Sequence, residues 1–202
     1  DCGGGVLEKN ILILATTNDF LMKFEQENVR ILQEMGYQVH YAANLREPGY
    51  ISDAGRIQAL GVTVHHIDIV RSPYLVRENH RAFRQLTSLV RRWHIQAIHC
   101  HTPVGGLLGR LAGASVPGNP VVVYTAHGFH FYQGAPLYNR LAFYPVEWNL
   151  ARYTDILVVI NQEDYRAARQ LPLRRGGKVF RLPGVGLDRR VFFPLTPKMR
   201  TR

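Results

Sequence analysis

Residues 121–132 read VVVYTAHGFHFY, and their pattern decides the fold. Val121, Val122, Val123 and Tyr124 form a short unbroken apolar run, as expected of a strand buried on both faces of a parallel sheet. The run then turns chemical at Thr125, Ala126, His127, Gly128, Phe129 and His130. Open α/β sheets bind ligands outside the carboxyl ends of their strands, so His127 is aimed at a cleft. Gly128 lets the backbone turn there or approach a ligand closely. On this stretch alone, His127 and His130 read equally well as ordinary loop residues.

Outward from this stretch, apolar runs alternate with helical patterns. Strands are predicted at 11–16, 37–43, 62–67, 95–100, 155–160 and 178–182. Between them fall helices at 20–35, 75–93, 104–114 and 136–153, the last broken or bent near Pro145, and shorter ones between 48 and 60 and after Asn161. Asn161 can cap its helix, with Asp164 placed to reach back. The alternation defines an α/β fold, a Rossmann-like doubly wound parallel sheet of about seven strands. In the first helix Phe20, Leu21, Phe24, Ile31, Leu32 and Met35 share one apolar face, and Asn28 within it reads as a satisfied core asparagine. Residues 1–9 are expected to be a disordered leader, 10–182 the domain, and the Gly- and Pro-rich stretch 183–202 a linker.

The 202 residues carry a net charge of +10, unevenly spread. Residues 1–74 hold 6 basic and 9 acidic side chains, and residues 75–202 hold 19 and 6. Arginines outnumber lysines 21 to 4, which suits phosphate recognition by a planar fork. Such asymmetry points to an anionic partner: nucleic acid, lipid head groups or a phosphorylated substrate. In helix 75–93, Arg77, Arg81, Arg84, Arg91 and Arg92 lie opposite Phe83, Leu86, Leu89, Val90 and Trp93. That stripe fits an anionic membrane surface or a solvated helix face. No apolar run reaches the roughly 20 residues of a membrane span, and Cys2 and Cys100 suggest no disulfide framework. A cytoplasmic protein, peripheral on the inner face of the plasma membrane, is the expectation.

The turn after the first strand, ATTNDFLMK, has no glycine, which excludes a dinucleotide-binding fingerprint. G-x-x-x-x-G-K-[ST] and G-x-S-x-G are absent as well. His99 and His101 form a His-x-His pair, yet no carboxylate or cysteine set at zinc spacing accompanies them in sequence, so neither metal nor cofactor is expected. Pro103 suits a first helical turn. Gly105 and Gly106 then either leave amides bare for a phosphate or permit close helix–sheet packing. The arginines accompany no nucleic-acid motif, so no nucleic acid is expected.

Four runs carry a resemblance: HCHTPVGGLLGRLAG (99–113), YTAHGFHFYQGAP (124–136), TDILVVINQEDYRAA (154–168) and PGVGLDRRVFFP (183–194). In this order they resemble the N-terminal domain of bacterial family 4 glycosyltransferases of the capsular and exopolysaccharide type. The resemblance implies the acceptor-binding half of a GT-B architecture, whose other half holds the nucleotide sugar. It places His127 against the transferred sugar as the catalytic position, with Gly128 and Phe129 shaping its loop. Asn18, Lys23, Thr102, Gly105 and Gly106 would line the acceptor side of the cleft, and Gly184, Gly186 and Asp188 the domain junction. Implied partners are a nucleotide sugar, a lipid-diphosphate-linked glycan acceptor and an anionic membrane surface. The implied reaction retains anomeric configuration, and this half alone is expected to be inactive. A stand-alone module that binds a lipid-diphosphate glycan or a partner glycosyltransferase without catalysis is the alternative.

Overall fold

The computed structural model describes residues 9–46 and 54–184. Seven strands form one sheet: β1 (Lys9–Thr17), β2 (Tyr37–Asn44), β3 (Thr63–His66), β4 (Ala97–His101), β5 (Val121–Ala126), β6 (Ile156–Val159) and β7 (Lys178–Arg181). All pairings are parallel, in the order β3-β2-β1-β4-β5-β6-β7. The helices are α1 (Gln26–Glu34), α2 (Ala54–Ala59), α3 (Val76–Arg92), α4 (Pro103–Ser115), α5 (Leu137–Ala151) and α6 (Gln162–Ala168). A single π-helical turn, Leu21–Glu25, leads into α1. The expected doubly wound sheet is what forms.

Two cores lie on opposite faces of this sheet. One gathers Leu12, Leu14, Ile98, Cys100, Val122, Tyr124 and Leu157 beneath α3, α4 and α6. The other gathers Ile11, Ile13, Ala15, Val39 and Tyr41 beneath α1 and α2. Strand alternation dictates the division, because successive side chains point to opposite faces. Helix α4 sits closest to the sheet. A Cβ at Gly106 would stand 2.4 Å from the Tyr124 ring, at Gly109 2.7 Å from Cys100 Cβ, and at Gly113 2.4 Å from Val122 Cγ2. Glycine at these positions lets the helix backbone rest on the strands.

The second face is only half covered. Among the described residues no helix lies over its β5–β7 half, where Val121, Phe180 and Leu182 remain about half exposed.

Several boundaries and one face differ from expectation. Lys9 belongs to β1 rather than to a leader, and residues 1–8, like 185–202 of the expected linker, lie outside the described residues. Of the stripe read as the buried face of the first helix, Phe20 and Leu21 are buried and Leu32 packs against the core, but Phe24, Ile31 and Met35 are exposed. In their place Glu25 and Val29 face inward with Leu21. The π-turn is the reason, since its i→i+5 bonding inserts a residue and rotates everything after it. Asn28 is accordingly exposed, donating from Nδ2 to Glu25 Oε2 at 2.8 Å rather than sitting in the core. Helix α5 also runs through Pro145 without interruption. The carbonyl that proline leaves unpaired is that of Leu141, an exposed residue that water can reach.

The α4 contact predicts an asymmetry among glycines. Gly113→Ala should cost about 1–3 kcal/mol by overpacking against Val122. Gly55→Ala, in helix α2 with nothing within 4 Å of the added carbon, should stabilise by up to about 1 kcal/mol. Thermal melts of both variants should shift in opposite directions.

Candidate functional site

The strand order reverses between β1 and β4, which makes their carboxyl ends the switch point where ligands of such sheets bind. β1 delivers Asn18, β4 delivers His101 and Thr102, and β5 delivers His127. Asn18 is fully buried, and neither its Nδ2 nor its Oδ1 has a hydrogen-bond partner. An unsatisfied buried amide costs about 1–3 kcal/mol, so its place at the switch point is informative. Lys23, expected beside it, is exposed and ion-paired with Asp19 at 2.5 Å.

A chain of titratable groups crosses the same end of the sheet. His127 sits against Phe20 (ring centroids 5.6 Å apart) and Phe24 (6.5 Å), and its Nε2 lies 3.4 Å from His101 Nδ1. His101 Nε2 then faces Glu25 Oε1 at 3.5 Å without a hydrogen bond. His99 Nε2 pairs with Thr125 Oγ1 at 2.9 Å, while its Nδ1 points to Glu25 Oε2 at 4.0 Å. Burial dominates every shift here. It pushes the Glu25 carboxyl up to about 7, against the opposing hydrogen bond from Asn28. It brings His99 down to about 4, with the neighbouring His127 imidazole also disfavouring its charged form, and holds His101 well below its ordinary value. The aromatic surroundings also hold His127 below its ordinary value by desolvation. At neutral pH the three imidazoles are therefore largely uncharged.

Thr102 stands at φ 65°, ψ 155°, a region that essentially only glycine populates. Its surroundings hold it there: Oγ1 accepts from the Gly105 amide at 3.3 Å, and its carbonyl accepts from the Gly106 amide at 2.7 Å. These bonds decide between the two roles open to the glycines. Their amides have internal partners, and a Cβ at Gly105 would lie 2.8 Å from Thr102 Oγ1. Close packing, not bare amides, accounts for both. Gly128 takes φ 136° with open space around it, so its glycine serves the turn alone. Phe129 is buried, stacks on Phe131, and donates its amide to the Asp164 carboxylate. Asp164 also bonds the Asn161 side chain that caps α6, so this helix start anchors the His127 loop. His130 stacks on Phe143.

Two cavities flank the chain of groups. One, of about 480 Å³, opens on the half-bare sheet face and is lined by Phe24, Glu25, His99, Thr125, His127 and Gly184. Gly184 thus joins the site, whereas Gly186 and Asp188 lie outside the described residues. The other, of about 350 Å³, lies between α4, α5 and the His127 loop, with Leu107, Phe131, Phe143 and Val146 among its mainly apolar walls. At its base the Arg110 guanidinium forms a two-pronged pair with Glu147, at 2.7 and 3.1 Å, and stacks over Tyr124. Burial alone would lower the Arg110 pKa, but Glu147 more than compensates and raises it.

Sequence reasoning missed Glu25, Arg110 and Glu147. Arg110 and Glu147 lie on different helices, and no local pattern links them. Glu25 was hidden by the π-turn that swings it inward.

The fold agrees with what known proteins show. The chain belongs to the Glycosyl transferase 4-like family, which matches residues 10–161. It is 38% identical over 193 residues to EpsD of Bacillus subtilis (strain 168), a protein carrying a glycosyltransferase designation, covering 95% of this chain and 48% of EpsD. In fold it resembles sucrose-phosphate synthase from Thermosynechococcus elongatus (TM-score 0.64, 12% identity, 93% of this chain and 51% of that one). A glycosyltransferase from Rickettsia africae ESF-5 is similar too (TM-score 0.57, 12% identity, 95% and 47%). The chain thus has the Rossmann-like fold of one half of a GT-B glycosyltransferase, and it spans about half the length of these relatives.

The buried pair yields a stability test. Glu147→Gln strands the Arg110 guanidinium in a site where it is 1% exposed, and should cost about 3–5 kcal/mol in urea unfolding.

Proposed function

We propose that this chain is the acceptor-binding half of a retaining glycosyltransferase. The enzyme moves a sugar from a nucleotide-sugar donor to a lipid-diphosphate-linked glycan during exopolysaccharide or capsule synthesis. The carrying observation is the placement of His127 at the switch-point cleft, lining a cavity and packed against Phe20 and Phe24, whose burial of the ring favours its neutral form. A neutral imidazole can donate to or accept from a sugar hydroxyl without drawing the donor's diphosphate to itself. The donor diphosphate then belongs to the opposite half, where its departing charge is neutralised. The nucleotide sugar is a co-substrate, and the transfer step calls on no resident cofactor.

The acceptor's lipid explains a second set of features. Tyr74, Leu75, Val76, Leu137, Tyr138 and Leu141 are exposed apolar side chains at the start of α3 and the start of α5. Beside them, Arg77, Arg81, Arg84 and Arg92 line a basic groove of about 830 Å³ with His65, His66 and His80. Apolar side chains rimmed by arginines suit an anionic bilayer surface. None of the described helices is long and apolar enough to cross a membrane. The half-bare sheet face, which borders the His127 cavity, supports work against a second structural unit.

Two experiments test this reading. The purified chain, mixed with nucleotide sugars and a lipid-linked acceptor and followed by product mass, should give no turnover alone. Joined to a donor-binding half it should turn over, and His127→Ala should then lower kcat by about 10²-fold. Turnover by the chain alone, or an unaffected His127→Ala enzyme, sinks the proposal. Separately, the triple variant Arg77→Ala, Arg84→Ala, Arg92→Ala should bind phosphatidylserine vesicles roughly 10²-fold more weakly than the parent chain. Raising salt should erase the difference.

A further inference from the structure

Glu25, His99 and His101 each offer one ligand atom, and the three atoms all lie within 4.8 Å of one another. We propose that they form a binding site for a borderline divalent transition metal of the zinc or cobalt type. The donor set is two imidazoles and one carboxylate, with the remaining coordination position open toward the cleft. This site stands independently of the sugar-transfer reading.

Which ring nitrogens are free decides the matter. His101 Nδ1 is engaged by His127, and His99 Nε2 by Thr125. The nitrogens left over, His101 Nε2 and His99 Nδ1, both turn toward the Glu25 carboxylate. Metal-bound imidazoles characteristically commit their other ring nitrogen to such an outer partner, which fixes tautomer and ring orientation. Glu25 has its own outer partner in Asn28. His101 supplies the independent observation: 1% exposed, it aims Nε2 into this cluster with no hydrogen bond to any group. A buried ring nitrogen that faces a carboxylate without a hydrogen bond is left unsatisfied, and a cation held between the two would satisfy both.

The spacing is near what a metal needs. Ligand bonds of about 2.0–2.2 Å in tetrahedral geometry put donor atoms roughly 3.4 Å apart. Here Glu25 Oε1 and His101 Nε2 are 3.5 Å apart and Glu25 Oε2 and His99 Nδ1 4.0 Å apart, and with one donor atom taken from each residue the three lie within 4.8 Å. Small side-chain rotations close the rest. Imidazole–carboxylate sets suit zinc, cobalt, iron or nickel rather than magnesium or calcium, which prefer oxygen alone. The cavity of about 480 Å³ gives an ion and its open-position ligand a path from solvent past Phe24 and His127. The sequence argues against metal for want of a carboxylate near the His-x-His pair, and the π-turn supplies one.

The test is titration of the chain, in a Cys2→Ser background, with Co²⁺ followed by its visible d–d absorption and by zinc competition. One equivalent should bind, and Glu25→Gln and His101→Gln should each weaken binding about 10-fold or more, with His130→Gln as the unaffected control. Because buried variants can misfold, imidazole ¹⁵N spectra of the parent chain with and without zinc give a variant-free reading. Zinc should move the His99 and His101 ring nitrogens selectively. Binding of less than one equivalent, binding that survives both substitutions, or zinc shifts confined to His40 and His65 would each overturn the site.

Discussion

The structure depends above all on how closely α4 lies on the centre of the sheet. Gly106, Gly109 and Gly113 leave no room between helix backbone and the side chains of Tyr124, Cys100 and Val122. That approach fixes the height of the helix start above β4, and so the position of Thr102 and His101. It also brings Arg110 over the Tyr124 ring, where Glu147 of α5 neutralises it. A buried ion pair of this kind is weak evidence for stability but a strong constraint on geometry, because α5 must dock where its carboxylate meets the guanidinium. The apolar cavity between α4 and α5 is bounded by that constraint.

The carboxyl ends of β1, β4 and β5 hold the least comfortable groups in the molecule. Asn18 is buried and unpaired, Thr102 occupies backbone space that glycine owns, and the Glu25 carboxylate faces a ring nitrogen of each of two imidazoles. Each raises the free energy of the folded chain, and each is held by well-packed neighbours. Strain and unsatisfied polar groups concentrate where a ligand is to be met, because a ligand can satisfy what the protein leaves open. A π-helical turn belongs to the same pattern, since such turns recur at functional sites.

Much of this is legible in the amino-acid sequence. The strand–helix alternation, the parallel sheet, the cleft-facing His127 and the Asn161–Asp164 cap all follow from local pattern, because strand and helix periods are written residue by residue. What misleads is also local. Phe24, Ile31 and Met35 lie at helical spacing and read as a buried face, yet one inserted residue in the π-turn rotates them outward and brings Glu25 in. Gly105 and Gly106 take their meaning only from the Tyr124 ring and the Thr102 hydroxyl beside them.

The sequence by itself determined the fold class, the seven-strand order of elements along the chain, the uneven charge and the His-Gly turn at the end of β5. These depend on short-range periodicity and composition, which need no partner to be read. Only the tertiary structure decided that β1 and β4 are neighbours at the switch point, and that Glu25 meets His99 and His101 there. It also decided that Arg110 is neutralised by Glu147, and that half of one sheet face stands bare among the described residues. Each depends on how segments far apart in the chain pack, and packing has no signature in any one segment.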